Sequence, residues 1–350
     1  MATVAELKEL ALHAVNGTAP ANFEHKTVDE ALRGEMNQWC SSLIEFQRHK
    51  LDIFEIIITA VDEVVPNKVI DAMGMFAEIR QVADGQKALF KRGLVGRNRA
   101  KKFITRVGLG GVYESFRLDN ETFELGAYAI GSAVSIDFER FLDGSDSLVD
   151  LMDVVTEGMT DAVFGEVQKA LISAANAVGR PNANKVIYAG FDGDQMFKLV
   201  SVVKAYGGNA AIFATPEFVG EMGPDAIVPV AVAGAQAVYH PSDIDAIHNN
   251  GYVNIFRGTP IVQLPQSFVD ENNTQTWLNP QYAYVLPAGK EKVVKIVFEG
   301  KTQMWDYTNK DRSYEFNTYK KMGAAVMTHN NWGIYQNTNI PDTSYFPYGV

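Results

Sequence analysis

Twelve apolar residues recur at spacings of three and four in one stretch of this chain: Leu148, Leu151, Met152, Val155, Met159, Ala162, Val163, Val167, Ala170, Leu171, Ala174 and Val178. That period marks one face of an α-helix. The pattern predicts a helix over Asp146 to Val178, capped by Ser145 or Asp146 and ended by Gly179 and Pro181. At about 1.5 Å per residue it is roughly 50 Å long. A helix of that length crosses more than one small domain. Its N-terminal part carries six acids and no base from Asp146 to Glu166: Asp146, Asp150, Asp153, Glu157, Asp161 and Glu166. Spacings of three and four set several of them in a stripe.

The opposite charge is concentrated upstream. Lys87, Lys91, Arg92, Arg97, Arg99, Lys101, Lys102 and Arg106 lie between Gln86 and Arg106 with no acid among them, although the net charge is -11. Three readings compete: docking onto an acidic neighbour, a solvated loop, and nucleic-acid binding. The segment lacks the interleaved tyrosines and tryptophans of a base-stacking platform, with only Phe90 and Phe103 nearby. A positive segment and a negative helix in one chain favour docking on another copy of that chain. The expected contacts are Lys91, Arg92, Arg97, Arg99, Lys101 and Lys102 on one side. Asp146, Asp150, Asp153, Glu157 and Asp161 are expected on the other.

With 350 residues and 47% apolar content, the chain exceeds the size at which single cores stop growing. Two domains plus extensions are expected. Its acidic balance argues against a general nucleic-acid binder. Cys40 stands alone, which excludes an intrachain disulfide and suits a reducing cytoplasm. The opening MATVAELKELALHAV has acids and no basic region, so it does not read as a secretory signal. The longest nearly apolar window, Ala226 to Tyr239, is broken by Pro229 and Gly234 and reads as buried core rather than a membrane span.

The first 50 or so residues read as an arm. One helix covers Val4 to Val15 and a second starts near Thr27, which with Glu30 fits a capping box. An apolar, β-branched run from Leu51 to Val65 is stopped by Pro66-Asn67. Strands are expected at Phe76–Ala83, Phe103–Val107, Val112–Leu118 and Thr122–Asp137. The basic segment then forms a long two-stranded excursion that needs a neighbour to lie on. Beyond the long helix, Asp194–Tyr206 reads as helix, Ala210–Ala214 as a buried strand, and Pro216 as the first residue of a short helix. Ser242–His248 reads as a further helix. Strands follow at Tyr252–Phe256, Pro260–Leu264 and Tyr282–Leu286, with a polar loop at Gln266–Thr276. Lys292–Phe298 and Thr302–Tyr307 flank Glu299-Gly300, read as a hairpin turn; Tyr314–Tyr319 and Gly323–Thr328 follow. Gln336–Val350 reads as an extended aromatic tail whose removal should weaken assembly more than folding.

No catalytic signature is present. Gly108, Gly110 and Gly111 suggest a dinucleotide loop, but Tyr113 occupies the third glycine position and a strand follows. There is no Walker loop, HExxH, nucleophile elbow or CxxC. The histidines His13, His25, His49, His240, His248 and His329 are scattered, so no metal is expected. Asp192-Gly193-Asp194 reads as a helix N-cap rather than a cation site. No cofactor is expected.

The order of elements carries a resemblance: arm, long hairpin, long helix, α/β domain, and a return to strands. Within it, IFATPEFVGEM, HNNGYVNIFRGTPIVQLP and the run YAYVLPAGKEKVVKIVFEGKTQMWDYTNKDRSYEFNTYKKMGAAVMTHNNWGIY resemble segments of tailed-bacteriophage major capsid proteins with the Hong Kong-97-type fold. The resemblance covers nearly the whole chain and implies an α+β fold without enzymatic activity. It places an N-terminal arm at 1–50, a peripheral domain at 51–75 and 119–183, and an extended loop at 76–118. An axial domain follows at 184–287, the rest of the peripheral sheet at 288–335 and a tail at 336–350.

The resemblance also implies pentamers and hexamers of this chain forming an icosahedral shell, part of a virion assembled in the host cytoplasm. The shell would enclose double-stranded DNA without sequence-specific binding and without a membrane. The short arm implies a separate scaffolding protein, or none; the resemblance adds a portal as a partner and leaves a decoration protein open. An encapsulin-like compartment shell is the alternative within the fold. An enzyme using Asp192 or Asp194 is the alternative outside it.

Overall fold

The computed structural model describes residues 4–15, 31–32, 34–35, 37–39, 41–92, 121–136, 148–178, 180–206, 209–223, 245, 248–249, 252, 254–288, 292–308, 314–327 and 331–345. Three helices form one layer: α1 (Val4–Val15), α2 (Leu43–Met73) and α3 (Leu148–Ala175). Leu7 and Ala11 of α1, Phe46 to Val65 of α2, and Met152, Val155 and Met159 of α3 bury their apolar faces together. Phe316 of the underlying sheet reaches into this layer, edge-on to Phe46 and Phe54. Leu32 and Trp39 pack there too.

Ser42 starts α2, its hydroxyl accepting from the Glu45 N–H at 3.2 Å. The helix then runs straight through Pro66, against the expectation that Pro66-Asn67 stops it. Interior proline costs about 3 kcal/mol. Beyond it, Val69 and Met73 are buried, and burying such side chains contributes roughly 1.5–3 kcal/mol each. The apolar period continues past the proline, and burial outweighs the lost hydrogen bond.

Under the helices lies a four-stranded sheet. Its strands are β1 (Ala77–Val82), β4 (Tyr128–Ile136), β10 (Val294–Thr308) and β11 (Tyr314–Val326), in the order β1-β10-β11-β4. β1 runs parallel to β10 and the other pairs are antiparallel. Here two expected breaks are corrected. Glu299-Gly300 is not a hairpin: β10 continues through it with a register break between Glu299 and Gln303. Gly300 has φ +68°, the left-handed geometry of a glycine bulge. No break separates Tyr319 from Gly323 either, and Gly323 does not begin a strand. It lies within β11, where a Cβ would stand 2.3 Å from the Gly126 carbonyl oxygen, so its bare backbone admits a close crossing.

The expected single strand Thr122–Asp137 is likewise two. β3 (Glu121–Leu125) and β4 are separated by Gly126-Ala127 and belong to different sheets. β3 pairs antiparallel with β2 (Ala88–Arg92). The predicted strands Phe103–Val107 and Val112–Leu118, and the helices from Thr27 and at Ser242–His248, lie wholly or largely outside the described residues. So does the start of the helix expected over Asp146–Val178. Its described end is Ala175 rather than Val178.

The remaining strands, β5 (Lys185–Tyr188), β6 (Ala210–Ala214), β7 (Ile255–Phe256), β8 (Thr259–Gln263), β9 (Tyr282–Pro287) and β12 (Gly333–Asn337), form a six-stranded mixed sheet in the order β5-β12-β9-β6-β8-β7. Two helices cover it, α4 (Gly193–Ala205) and α5 (Pro216–Met222). α4 buries Met196, Leu199, Val200 and Val203, and α5 buries Phe218, Val219 and Met222. Asp192 caps α4 as expected, its Oδ1 accepting from the N–H groups of Asp194 and Gln195.

β12 corrects the tail and a boundary together. Gly333–Tyr335 pair inside this sheet, not the four-stranded one, and Gln336 and Asn337 belong to the same interior strand. Ile340 is buried and Tyr345 donates its N–H to the Thr276 carbonyl at 2.8 Å. Residues 336–345 are therefore folded structure, and removing them would cut the last two residues of β12 and the Tyr345–Thr276 pairing out of the fold. The two larger sheets share one core that includes Phe76, Phe213, Phe298, Trp332 and Val167.

Candidate assembly surface

The basic segment begins on a built foundation. β2 and β3 pair from Ala88↔Leu125 to Arg92↔Glu121, so the two described residues that flank 93–120 lie side by side. Alternation on β2 turns Ala88 and Phe90 inward, where Phe90 is fully buried beside Phe123 and Val297. Leu89 and Lys91 face out.

Charge locks this root. Arg80 on β1 donates to the Leu89 carbonyl at 2.5 Å, lies over the Phe90 ring, and is held from behind by Glu78 at 2.6 Å. Glu78 also takes the nearly buried Lys295 at 2.5 Å. Burial pushes the Glu78 carboxyl up, but hydrogen bonds from Lys295 and Arg80 outweigh it and hold the group below its ordinary value. On the exposed side Lys87 pairs with Glu124 at 2.7 Å. Lys321 bridges Asp84 and Glu299 at 3.0 and 3.5 Å. Of these only Lys87 belongs to the basic segment. The rest were missed in the sequence because they come from strands far apart in the chain. The one local signal is the charge alternation of Glu78 and Arg80 on β1.

Among the expected contacts, Lys91 is exposed at the end of β2. Arg92 is the last residue of that strand, opposite Glu121. Arg97, Arg99, Lys101 and Lys102 lie outside the described residues, as does Asp146. On α3, Asp150, Asp153 and Glu157 are exposed, opposite the buried Met152, Val155 and Met159. Val154, 59% exposed, sits among them, so this face offers apolar as well as acidic surface.

Asp161 differs from the others. It is half-buried and accepts from the Ser267 hydroxyl at 2.7 Å. Burial pushes its carboxyl up, against the pull of the Ser267 bond. It ties the helix to the 266–276 loop instead of extending the exposed stripe. Glu166 likewise accepts from the Tyr128 hydroxyl at 2.8 Å, and burial together with that carboxylate raises the phenol.

Among the described residues no helix is long and apolar enough to cross a membrane, and no three His, Cys, Asp or Glu side chains are grouped to hold a metal ion.

The profile of the family described as "SPbeta prophage-derived putative capsid protein YonB" matches residues 29–336. No curated protein sequence matches. Among solved structures, the mature capsid of bacteriophage PhiM1 is similar at 11% identity over 76% of this chain and 86% of that one, with TM-score 0.49. The capsid of cyanophage P-SCSP1u is similar at 14% identity over 76% and 87%, also with TM-score 0.49. The SrpI encapsulin of Synechococcus elongatus PCC 7942 is similar at 12% identity over 83% and 92%, with TM-score 0.43.

Proposed function

Because the chain belongs to the family of SPbeta prophage-derived capsid proteins, we propose that it is the major subunit of an icosahedral phage head with the Hong Kong-97-type fold. A capsid protein is structural rather than catalytic, and its place is the virion. The family match carries this reading, and it favours a virus head over a cargo compartment of encapsulin type. The α+β order supports it: helical arm, rooted two-stranded excursion, long helix, six-stranded mixed sheet.

In the proposed shell, copies associate as pentamers and hexamers. The excursion at 93–120 leaves one copy and lies on the exposed α3 face of the next, with Lys91, Arg92, Arg97, Arg99, Lys101 and Lys102 toward Asp146, Asp150, Asp153 and Glu157. The root supports this role. Arg80, Glu78 and Lys295 fix where the excursion leaves the body, which limits the conformational entropy lost on docking. Double-stranded DNA is held by confinement, since an acidic chain gains little from phosphate contacts. Assembly takes place in the host cytoplasm, with a separate scaffolding protein and a portal as partners.

Electron microscopy of the expressed protein tests the central reading. Uniform closed particles are expected, and small soluble oligomers under all assembly conditions would overturn it. A mobility assay tests the DNA reading, with no binding by unassembled subunits expected at physiological salt. Micromolar, salt-sensitive binding would return the basic segment to a nucleic-acid role.

A further inference from the structure

An open groove of about 580 Å³ runs between β4 and α3. One wall is the start of β4, from Tyr128 to Ser132; the other is α3, at Gly158, Met159, Ala162 and Gly165. Trp277 and Tyr345 complete the lining. The space exists because the helix presents glycine and alanine there. A Cβ on Gly158 would meet nothing within 4 Å, whereas one on Gly165 would strike the Trp277 indole. β4 is the outer strand of its sheet, paired with β11 alone among the described residues. Alternate backbone groups of Tyr128–Ser132 therefore face away from any strand partner.

The path of the chain supplies an occupant. Ser344 bridges to Thr276, the Tyr345 N–H donates to the Thr276 carbonyl, and the Tyr345 ring packs 6.3 Å from Trp277. The chain is thus already on the groove lining at Tyr345. The five residues after it are Phe346, Pro347, Tyr348, Gly349 and Val350. Extended, they reach roughly 17 Å, at about 3.4 Å per residue. Their apolar side chains fall at alternate positions, so one face of an extended segment carries Phe346, Tyr348 and Val350. Pro347 suits this arrangement, because a strand added to β4 becomes the sheet edge, where a residue without N–H is tolerated.

We propose that the groove between β4 and α3 is the docking site of this chain's own Phe346–Val350, which extends the four-stranded sheet by one short strand. The contact belongs to the single chain and does not depend on shell formation. Its failure would leave the capsid reading untouched.

Hydrogen–deuterium exchange on dilute, unassembled subunits tests the proposal in three proteins: the full chain, a chain cut after Tyr345, and full-length Gly158→Leu, whose new side chain projects into the groove. The outward-facing amides of Tyr128–Ser132, those not bonded to β11, should exchange at least about ten-fold faster in both altered proteins than in the full chain. The interior amides of Ala210–Ala214 should be unchanged and report an intact fold. Equal β4 protection in the full and cut chains would overturn the proposal. Loss of protection on truncation but not in Gly158→Leu would overturn the assigned site. Protection seen only in assembled material and lost on dilution would assign the groove to a second copy and overturn the intrachain docking.

Discussion

The carboxylate of Asp62, on α2, meets the Lys320 ammonium, on β11, at 2.5 Å inside the fold. The same Oδ1 accepts from the Thr302 N–H at 2.9 Å and the Thr302 hydroxyl at 2.5 Å. Thr302 falls in the part of β10 without a strand partner, between Glu299 and Gln303. The helix carboxylate therefore supplies the acceptor that the bulge removes, and pins α2 onto the sheet one turn before Pro66.

Asp62→Ala is expected to destabilise the protein by about 3 kcal/mol, because it leaves Lys320 charged and nearly buried with no carboxylate. Lys320→Met should cost less, since Asp62 keeps Thr302. The double variant should be more stable than Asp62→Ala alone. Denaturant unfolding of the four proteins checks this. Strictly additive losses would mean that the two groups do not act as a pair.

Glu78 gives a pH dependence. Its carboxyl is held below the ordinary 4.5 in the folded chain, despite burial, by Lys295 and Arg80. A depressed carboxylate contributes stability that is complete above its unfolded pKa and is lost as pH falls through the folded one. Stability should thus decline from about pH 4.5 downward. Glu78→Gln should be less stable at pH 7 and show a shallower acid decline, measured by thermal unfolding across that range. An unchanged acid slope would remove Glu78 from the account.

Local signals made part of the fold legible. Periodicity located α3, the run AAIFA gave β6 its bounds, Pro216 marked the start of α5, and Asp192 marked the cap of α4. What failed were punctuation residues whose meaning depends on a distant neighbour. Pro66 reads as a stop until the burial of Val69 and Met73 is known. Gly300 reads as a turn until β11 is seen to continue opposite β10. Gln336 reads as tail until β5 and β9 are seen on either side of β12. In the candidate surface, the clustering of Lys91 with its neighbours was visible because it is local. The Glu78, Arg80 and Lys295 root was not, because hydrogen-bonded neighbours β1 and β10 are more than 200 residues apart.

Gly323 shows the same dependence and can be tested. A methyl group there would lie 2.3 Å from the Gly126 carbonyl oxygen and 3.1 Å from Val297 Cγ1. Gly323→Ala should destabilise by about 1–3 kcal/mol, as overpacking does. Gly220, inside α5 with nothing within 4 Å of a Cβ, should instead gain about 0.5–1 kcal/mol as alanine. Opposite shifts in denaturant midpoint are expected. A neutral Gly323→Ala would show that the β3–β4 connection yields easily.

The proposed docking of the basic excursion rests on charge, so charge reversal is its most direct test. Exposed pairs contribute roughly 0–1 kcal/mol each, and the screening length at physiological ionic strength is about 8 Å. Several cations must therefore act together at close range, with Val154 and similar apolar surface adding burial. Arg97→Glu with Arg99→Glu should block or misdirect assembly while the subunit still folds, because the excursion is rooted by Arg80, Phe90 and Glu78, which are untouched. Asp150→Lys with Asp153→Lys should then partly restore particles, since these two exposed acids lie three residues apart on one helix face. Particle yield by sedimentation and microscopy reads both steps, with thermal unfolding of the subunits as the folding control. Normal assembly of the first variant would refute the charge pairing. Blocked assembly without rescue would exclude the Asp150 and Asp153 face as the target, leaving the excursion to dock elsewhere on its neighbour.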